Sequence, residues 1–309
     1  MVKRSVNNGR TWSALRVVVD ADSLQAGNPA PVVDYLDPRF PNGRLFLFYN
    51  TGNNHEGEVR RGKGNRMVWY ITSTDNGETW SNPVNITYQA HRTGPPADWR
   101  SYANTPGHAV QITRGKFKGR VYIAANHSSG DPKRNFEDYQ AHGFYTDDHG
   151  ERFKLSASVS IPGSNESTAA ELSGDRLMLN SRNQKGDIRS RIVSISSSGG
   201  EHWDTSFFDK HLPDPVCQGS LLNLGWRNGK AILAFCNAAD SNRRDNLTLR
   251  VSFDEGKTWR RSLRVDPTSG PGDWLAYSDL VQLSRRRIGV LYERNGYQEI
   301  VFRSLRIRR

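Results

Sequence analysis

Short extended runs broken by polar turns set the pattern of this chain. RMVWYITS (66–73), RSRIVSIS (189–196) and LTLRVS (247–252) are rich in β-branched or aromatic residues, and each runs into a polar cluster with a glycine. Runs of this composition read as strands, and two of them around a glycine turn read as a hairpin. A further short extended piece follows the turn, as in SNPVNI (81–86). No segment keeps the ~3.6-residue apolar period of an amphipathic helix, so few helices are expected. No apolar run approaches the ~18 residues that a membrane-spanning helix needs.

The turns repeat. SVNNGRTW (5–12), STDNGETW (73–80) and SFDEGKTW (252–259) share one phrase, and TDDHGERF (146–153) and SSSGGEHW (196–203) are weaker copies. Asn7, Asp75, Asp148 and Asp254 at the third place can bond nearby backbone N–H groups. The glycine at the fifth place supplies a positive φ. The closing aromatic (Trp12, Trp80, Phe153, Trp203 or Trp259) can tuck between adjacent sheets. The copies are spaced by 68, 73, 50 and 56 residues. Such a period, with several short strands per unit, predicts an all-β propeller of four-stranded blades. Five phrases and one unmarked C-terminal unit predict a six-bladed β-propeller, a single domain over 1–309. Its first blade is expected to be incomplete, truncated at the N-terminus, because only MVKR precedes the first phrase. The phrase itself is a folding device away from any substrate.

Composition narrows the function classes. Aromatic content of 10% is too high for a disordered chain. The formal charge is +11, from 43 basic and 32 acidic residues. Such a charge suits nucleic acid, a membrane surface or an anionic small substrate. Only VRRGKGNR (59–66) and RSLRIRR (303–309) are clustered. The arginines form no stripe with interleaved aromatics, so no nucleic-acid partner is expected. Cys217 and Cys236 make neither a disulfide framework nor a zinc site; they are expected to be buried and unpaired, with pairing across neighbouring strands as the alternative. No His/Cys group has ligand spacing, so neither metal nor cofactor is expected. His108 and His127 are expected to pack or cap. MVKRSVNNG has no apolar core, so no signal peptide is expected in this stretch.

The phrase S-x-D-x-G-x-T-W resembles the Asp box (BNR repeat) of sialidases, and the likeness extends from about residue 1 to 305. GNPAPVVD (27–34), TPGHAVQI (105–112) and NESTAAELSGDRLMLNSR (165–182) are similar to successive strands of bacterial exo-α-sialidases. LPDPVCQGSLLNL (212–224), FCNAADSNRRDNLTLRVSFDEGKTW (235–259), DWLAYSDLVQL (273–283) and GVLYE (289–293) continue it. The resemblance implies a glycoside hydrolase acting on sialylated glycans or glycoproteins. It makes Tyr277 the nucleophile and Glu166 its base, with Glu171 as fallback. Arg182 and Arg244 bind the substrate carboxylate, with Arg243 as the alternative to Arg244. Glu293 braces an arginine.

These residue types suit the chemistry. Sialic acid carries a carboxylate on its anomeric carbon, and a guanidinium fork matches a carboxylate in two-pronged fashion. A neutral phenol avoids the repulsion that a carboxylate nucleophile meets there; sialidases stand among glycosidases as the tyrosine-nucleophile exception. A phenol of pKa near ~10 needs a base to take its proton.

The chain departs from the family at its start. The R-I-P strand with the first triad arginine, and the acid/base aspartate after it, have no counterpart. Asp20, Asp34 and Asp98 are candidate replacements for the acid. The expected function is retaining hydrolysis of terminal sialic acid by the full-length protein, secreted or periplasmic. The alternative is a non-catalytic sialoside-binding propeller. Oligomeric state is left open.

Overall fold

A computed structural model describes residues 1–267, 270, 272 and 274–307. Asp273, which opens the DWLAYSDLVQL stretch, and Arg308 and Arg309 of the basic C-terminal cluster lie outside the described residues. Among the described residues, twenty strands form five sheets. Sheet one holds β1 (Gln25–Asp34), β2 (Arg44–Gly52), β3 (Arg66–Ser73) and β4 (Val84–Asn85). Two short helices, α1 (Glu56–Arg60) and α2 (Thr87–Ala90), follow β2 and β4. Sheet two holds β5 (Trp99–Asn104), β6 (Val110–Gln111), β7 (Val121–Ser129), β8 (Tyr139–Thr146) and β9 (Lys154–Leu155). Sheet three holds β10 (Ser164–Glu171), β11 (Leu177–Asn183), β12 (Ser190–Ser196) and β13 (Thr205–Pro213). Sheet four holds β14 (Gly219–Arg227), β15 (Lys230–Ala238), β16 (Leu247–Ser252) and β17 (Arg261–Arg264). Sheet five holds β18 (Ser278–Ser284), β19 (Arg287–Arg294) and β20 (Glu299–Arg306).

All strand pairs are antiparallel, and each sheet reads outward in sequence order, as in a propeller. The strand period of two divides each strand's side chains between two neighbours. In β7, Val121, Ile123 and Ala125 pack toward sheet one, and Tyr122 and Ala124 toward sheet three. In β15, Ala231, Leu233 and Phe235 pack toward sheet three, and Ile232, Ala234 and Cys236 toward sheet five. Four apolar clusters therefore fill the four gaps between consecutive sheets. Cys217 and Cys236 are buried and free.

The expected six blades are not formed: the described residues build five sheets. Residues 1–24 supply one turn phrase and a single bridge, Val2 to Arg16, in place of a sheet. That segment sits between the last sheet and the first. Trp12 meets Phe302 of β20 edge-on at 5.4 Å, and Arg4 and Arg16 both pair with Glu78 in the turn after β3. Among the described residues, no buried apolar cluster joins sheet five to sheet one.

The five turns share one bond that the sequence reading missed. The hydroxyl of the first residue (Ser5, Ser73, Thr146, Ser196, Ser252) accepts the N–H of the glycine at 2.8–2.9 Å. The Asp or Asn accepts backbone N–H groups three or four residues on, as in Thr79 N–H to Asp75 at 2.9 Å. The residue before the glycine is also left-handed, at φ 60° for Asn76 and 62° for Glu255. At Gly150 (φ 88°) a Cβ would lie 2.9 Å from the Phe46 ring on β2, so this turn admits only glycine on two grounds. Phe153 is buried in the cluster between sheets one and two, and Trp203 and Trp259 pack against the next two clusters. Trp12 remains 43% exposed, since no complete sheet receives it.

Candidate active site

Innermost strands carry the site, and side chain to backbone bonds tie each to the next. Asn28 on β1 and Asn104 on β5 exchange amide-to-carbonyl bonds at 2.9 Å. Thr105 accepts Ser167 N–H at 2.7 Å, Thr168 accepts Leu221 N–H at 3.2 Å, and Gln218 accepts Ser278 N–H at 3.0 Å. The TPGH stretch leaves the sheet: β5 stops at Asn104 and β6 resumes at Val110, both pairing with β7. The excursion brings His108 Nδ1 to 2.6 Å from Asp279 Oδ1 at the start of β18, and Ser220 donates to the same oxygen. His127 stacks on Trp99 at 3.5 Å.

The starts of the first strands and the ends of the second strands surround a cavity of about 410 Å³, lined among others by Glu166, Arg182, Arg244 and Tyr277. Glu166 lies in a register irregularity of β10 between Ser164 and Ser167, which frees its side chain from the pleat. Arg182 stands near the end of β11, on the strand paired to β10. Its Nη1 donates to Glu166 Oε2 at 2.6 Å and to the Tyr277 hydroxyl at 3.0 Å. The Tyr277 hydroxyl donates to Glu166 Oε1. Tyr277 precedes β18 and pairs with Glu293 of β19, whose N–H donates to the Tyr277 carbonyl at 3.0 Å.

Burial, then the facing Glu166 carboxylate, pushes the Tyr277 phenol well above its ordinary pKa, with Arg182 opposing. The resting phenol is therefore neutral. Burial disfavours the Arg182 charge, yet Glu166 more than offsets that and holds the guanidinium above its usual value. Arg182 Nε is buried without a partner.

Arg244 enters from the loop between β15 and β16. It donates to the Tyr297 hydroxyl and to the Val216 carbonyl, both at 2.9 Å, and lies 5.6 Å from the centre of the Tyr277 ring. Val216 is held at φ 62°, a strained backbone for a β-branched residue. Asp214 anchors that turn by accepting Cys217 N–H at 2.9 Å and pairing with buried Arg191 at 3.3 Å. Among the described residues both Arg244 bonds are to neutral acceptors, and its guanidinium lines the cavity.

The remaining sequence candidates fall elsewhere. Arg243 is exposed and does not line the cavity. Glu171 sits at the far end of β10 and accepts Thr113 and Arg114 N–H groups at 3.0 and 2.9 Å. Glu293 accepts the Tyr277 N–H at 3.2 Å where the resemblance implies an arginine partner. Asp34 is buried against His149 and Gln111, Asp98 pairs with Arg100, and Asp20 accepts the Asp22 N–H; none lines the cavity. Two charged groups were missed. Arg66, at the start of β3, lines the cavity and donates to Gln25 at 2.9 Å. Glu56 of α1 lines it and accepts from the Tyr139 hydroxyl. Arg66 closes the VRRGKGNR cluster, and a charged residue at a strand start carries no signal that separates it from solvated surface.

Comparison with known proteins bears on this geometry. Residues 1–290 match the BNR repeat-like domain. The chain is 30% identical to a sialidase of Micromonospora viridifaciens over 94% of its own length and 44% of that protein's. It is 26% identical to a sialidase of Bacteroides fragilis over 99% of its length and 56% of that protein's. It thus spans about half the length of the curated relatives it matches. Among solved structures, the Hadza microbial sialidase Hz136 superposes with a TM-score of 0.78 at 24% identity, covering 98% of this chain and 58% of that one. The fold is an all-β propeller. The chain belongs to the BNR-repeat, sialidase-type superfamily.

Proposed function

We propose that this chain is an exo-α-sialidase that removes terminal sialic acid from glycans with retention of configuration. One observation carries the reading: the Tyr277 hydroxyl, the Glu166 carboxylate and the Arg182 guanidinium meet in a cavity that also presents Arg244. Arg182 and Arg244, which both line the cavity, supply donors for the substrate carboxylate. Glu166 takes the phenolic proton as the Tyr277 oxygen attacks the anomeric carbon; the glycosidic C–O bond breaks and the leaving alcohol takes its proton from solvent water, giving a tyrosyl-glycosyl intermediate. Water then attacks that carbon and loses a proton to solvent, the bond to the Tyr277 oxygen breaks, and protonated Glu166 returns its proton to the phenolate. The Arg66, Arg182 and Arg244 charges outnumber those of Glu56 and Glu166, which favours an anionic ligand.

The test is turnover of a fluorogenic sialoside by the chain and by Tyr277→Phe. Hydrolysis that Tyr277→Phe abolishes, with the α-anomer released first by NMR, supports the proposal. Release of the β-anomer overturns it. A second reading is binding without turnover, favoured by one observation: among the described residues no aspartate lines the cavity. That reading predicts sialoside binding by both proteins and hydrolysis by neither.

A further inference from the structure

Behind the cavity lies an ion pair that does not line it. Arg191 of β12 and Asp214 after β13 are both fully buried and 3.3 Å apart. Taking two charges out of water is costly, and apolar residues of similar size often stabilise a fold as well or better. The role of this pair is therefore sought in what it holds.

It holds two segments. The first is the end of β11 that carries Arg182. Arg191 Nε donates to Asn180 Oδ1 at 2.7 Å, and Asp214 Oδ2 accepts the Asn183 N–H at 2.9 Å, so the strand is gripped on both sides of Arg182. The second is the turn that follows β13. There Asp214 Oδ1 accepts the Cys217 N–H at 2.9 Å, and Arg191 Nη1 donates to the Cys217 carbonyl at 2.6 Å. The Cys217 N–H and the Val216 carbonyl belong to one planar trans peptide, so they point in opposite directions. The bond that Asp214 makes with the N–H thus aims the carbonyl away from itself, and that carbonyl accepts Arg244 Nη2 at 2.9 Å. Val216 takes a left-handed backbone, φ 62°, which a β-branched residue keeps only where its surroundings over-determine it. The bonds on Cys217 supply that constraint.

We propose that Arg191 and Asp214 are positioning residues that fix Arg182 and Arg244 relative to each other, so that the two guanidinium groups close on one substrate carboxylate as a unit. A constellation of this kind has to be held to within about 0.5 Å, and a buried, multiply bonded pair gives the stiffness that two separate loops lack. The inference rests on the reading of Arg182 and Arg244 as carboxylate binders.

The test is a double-mutant cycle, read by calorimetric titration with the 2,3-unsaturated analogue of sialic acid. Asp214→Asn keeps an oxygen for one N–H group but turns an NH2 toward the Arg191 fork or the Asn183 N–H. It should weaken binding at least ~5-fold in the parent chain but stay within about two-fold in a chain already carrying Arg244→Met, because a misplaced arginine and an absent one bind alike. Glu255 gives the control. It is also buried, accepts the Ser173 and Ala231 N–H groups and pairs with Arg176 at 2.6 Å, but lies away from the cavity. Glu255→Gln should lower the melting temperature and leave binding within about two-fold. Arg191→Met/Asp214→Asn removes both charges, which a fold tolerates better than the loss of one partner, and should show the same loss of binding in a folded chain. Equal losses of affinity in Asp214→Asn and Glu255→Gln overturn the proposal, because lost stability then explains both. A loss from Asp214→Asn that adds in full to that of Arg244→Met overturns it too. If Arg244→Met alone leaves binding unchanged, the carboxylate reading of the cavity falls, and this inference with it.

Discussion

Tyr277 and Glu166 share a hydrogen bond across 111 residues of sequence, and Arg182 donates to both. The bond joins sheet three to sheet five. It places a neutral phenol against the base that would ionise it, so Glu166 is the group on which reactivity turns.

Glu166→Gln keeps the shape but cannot accept the phenolic proton. Turnover of a fluorogenic sialoside should fall by about 10²–10⁴-fold in kcat, the usual range for a lost general base, with a far smaller change in KM. A change under five-fold would remove Glu166 from that role.

Among the described residues Arg244 is bound only to neutral oxygens, so its loss strands no described buried carboxylate. Arg244→Met should weaken binding of a sialic acid analogue by roughly 10-fold or more, in line with the ~1.5–3 kcal/mol of a hydrogen bond to a charged group. Its melting temperature should move little. Arg182→Met should lower both, because it leaves Glu166 without its cation.

The turn hydroxyls predict a stability series. Ser252→Ala removes the acceptor of the Gly256 N–H and the donor to Asp254, at a cost of about 1–2 kcal/mol in denaturant unfolding. Gly150→Ala should cost more, since a positive φ and the Phe46 ring oppose the same methyl.

Acid should destabilise the contact between sheets one and two. His91, His127 and His142 are buried beside Trp99 and Tyr102. Burial lowers His91 to about 4 and His127 to about 3, and brings His142 well down too; the nearby charge of Arg92 adds to the last two. A histidine depressed in the folded state takes up its proton first in the unfolded chain. Stability is therefore full above the ordinary pKa of ~6.5 and drains as pH falls toward those values, by on the order of 3 kcal/mol for His91. His91→Phe should flatten the fall of melting temperature between pH 7 and 4.5. An unchanged slope would show that this group is not responsible.

Much of the architecture was legible because a propeller writes itself as repeated strand-and-turn units. RMVWYITS, RSRIVSIS and LTLRVS lie in β3, β12 and β16, and each runs into a turn of the predicted kind. The sheet count was not legible, since a turn phrase marks one hairpin and cannot report how many strands flank it. Residues 5–12 keep the phrase without the sheet. The break at Thr105–Ala109 was hidden for a related reason: TPGHAVQI has strand composition, and only the pull of Asp279 on His108 shows why it leaves the ladder. Within the cavity, Tyr277, Glu166, Arg182 and Arg244 were findable through family resemblance. Arg66 and Glu56 were not, because a strand start in a charged stretch and an acid on a five-residue helix look like solvated surface. The left-handed Val216 that aims its carbonyl at Arg244 has no signature in its residue type at all.

The join between the last sheet and the first has a mechanical consequence. Elsewhere neighbouring blades are fused by buried apolar layers, but here the described residues join through the half-exposed Trp12 against Phe302 and the contacts of Arg4 and Arg16 with Glu78. Compliance concentrates where packing is thinnest. Tyr277 stands on one side of that join, and Gln25 and Arg66 on the other. The aperture of the cavity is thus set by the weakest weld in the wheel, and an occupant touching both sides would act as its clamp.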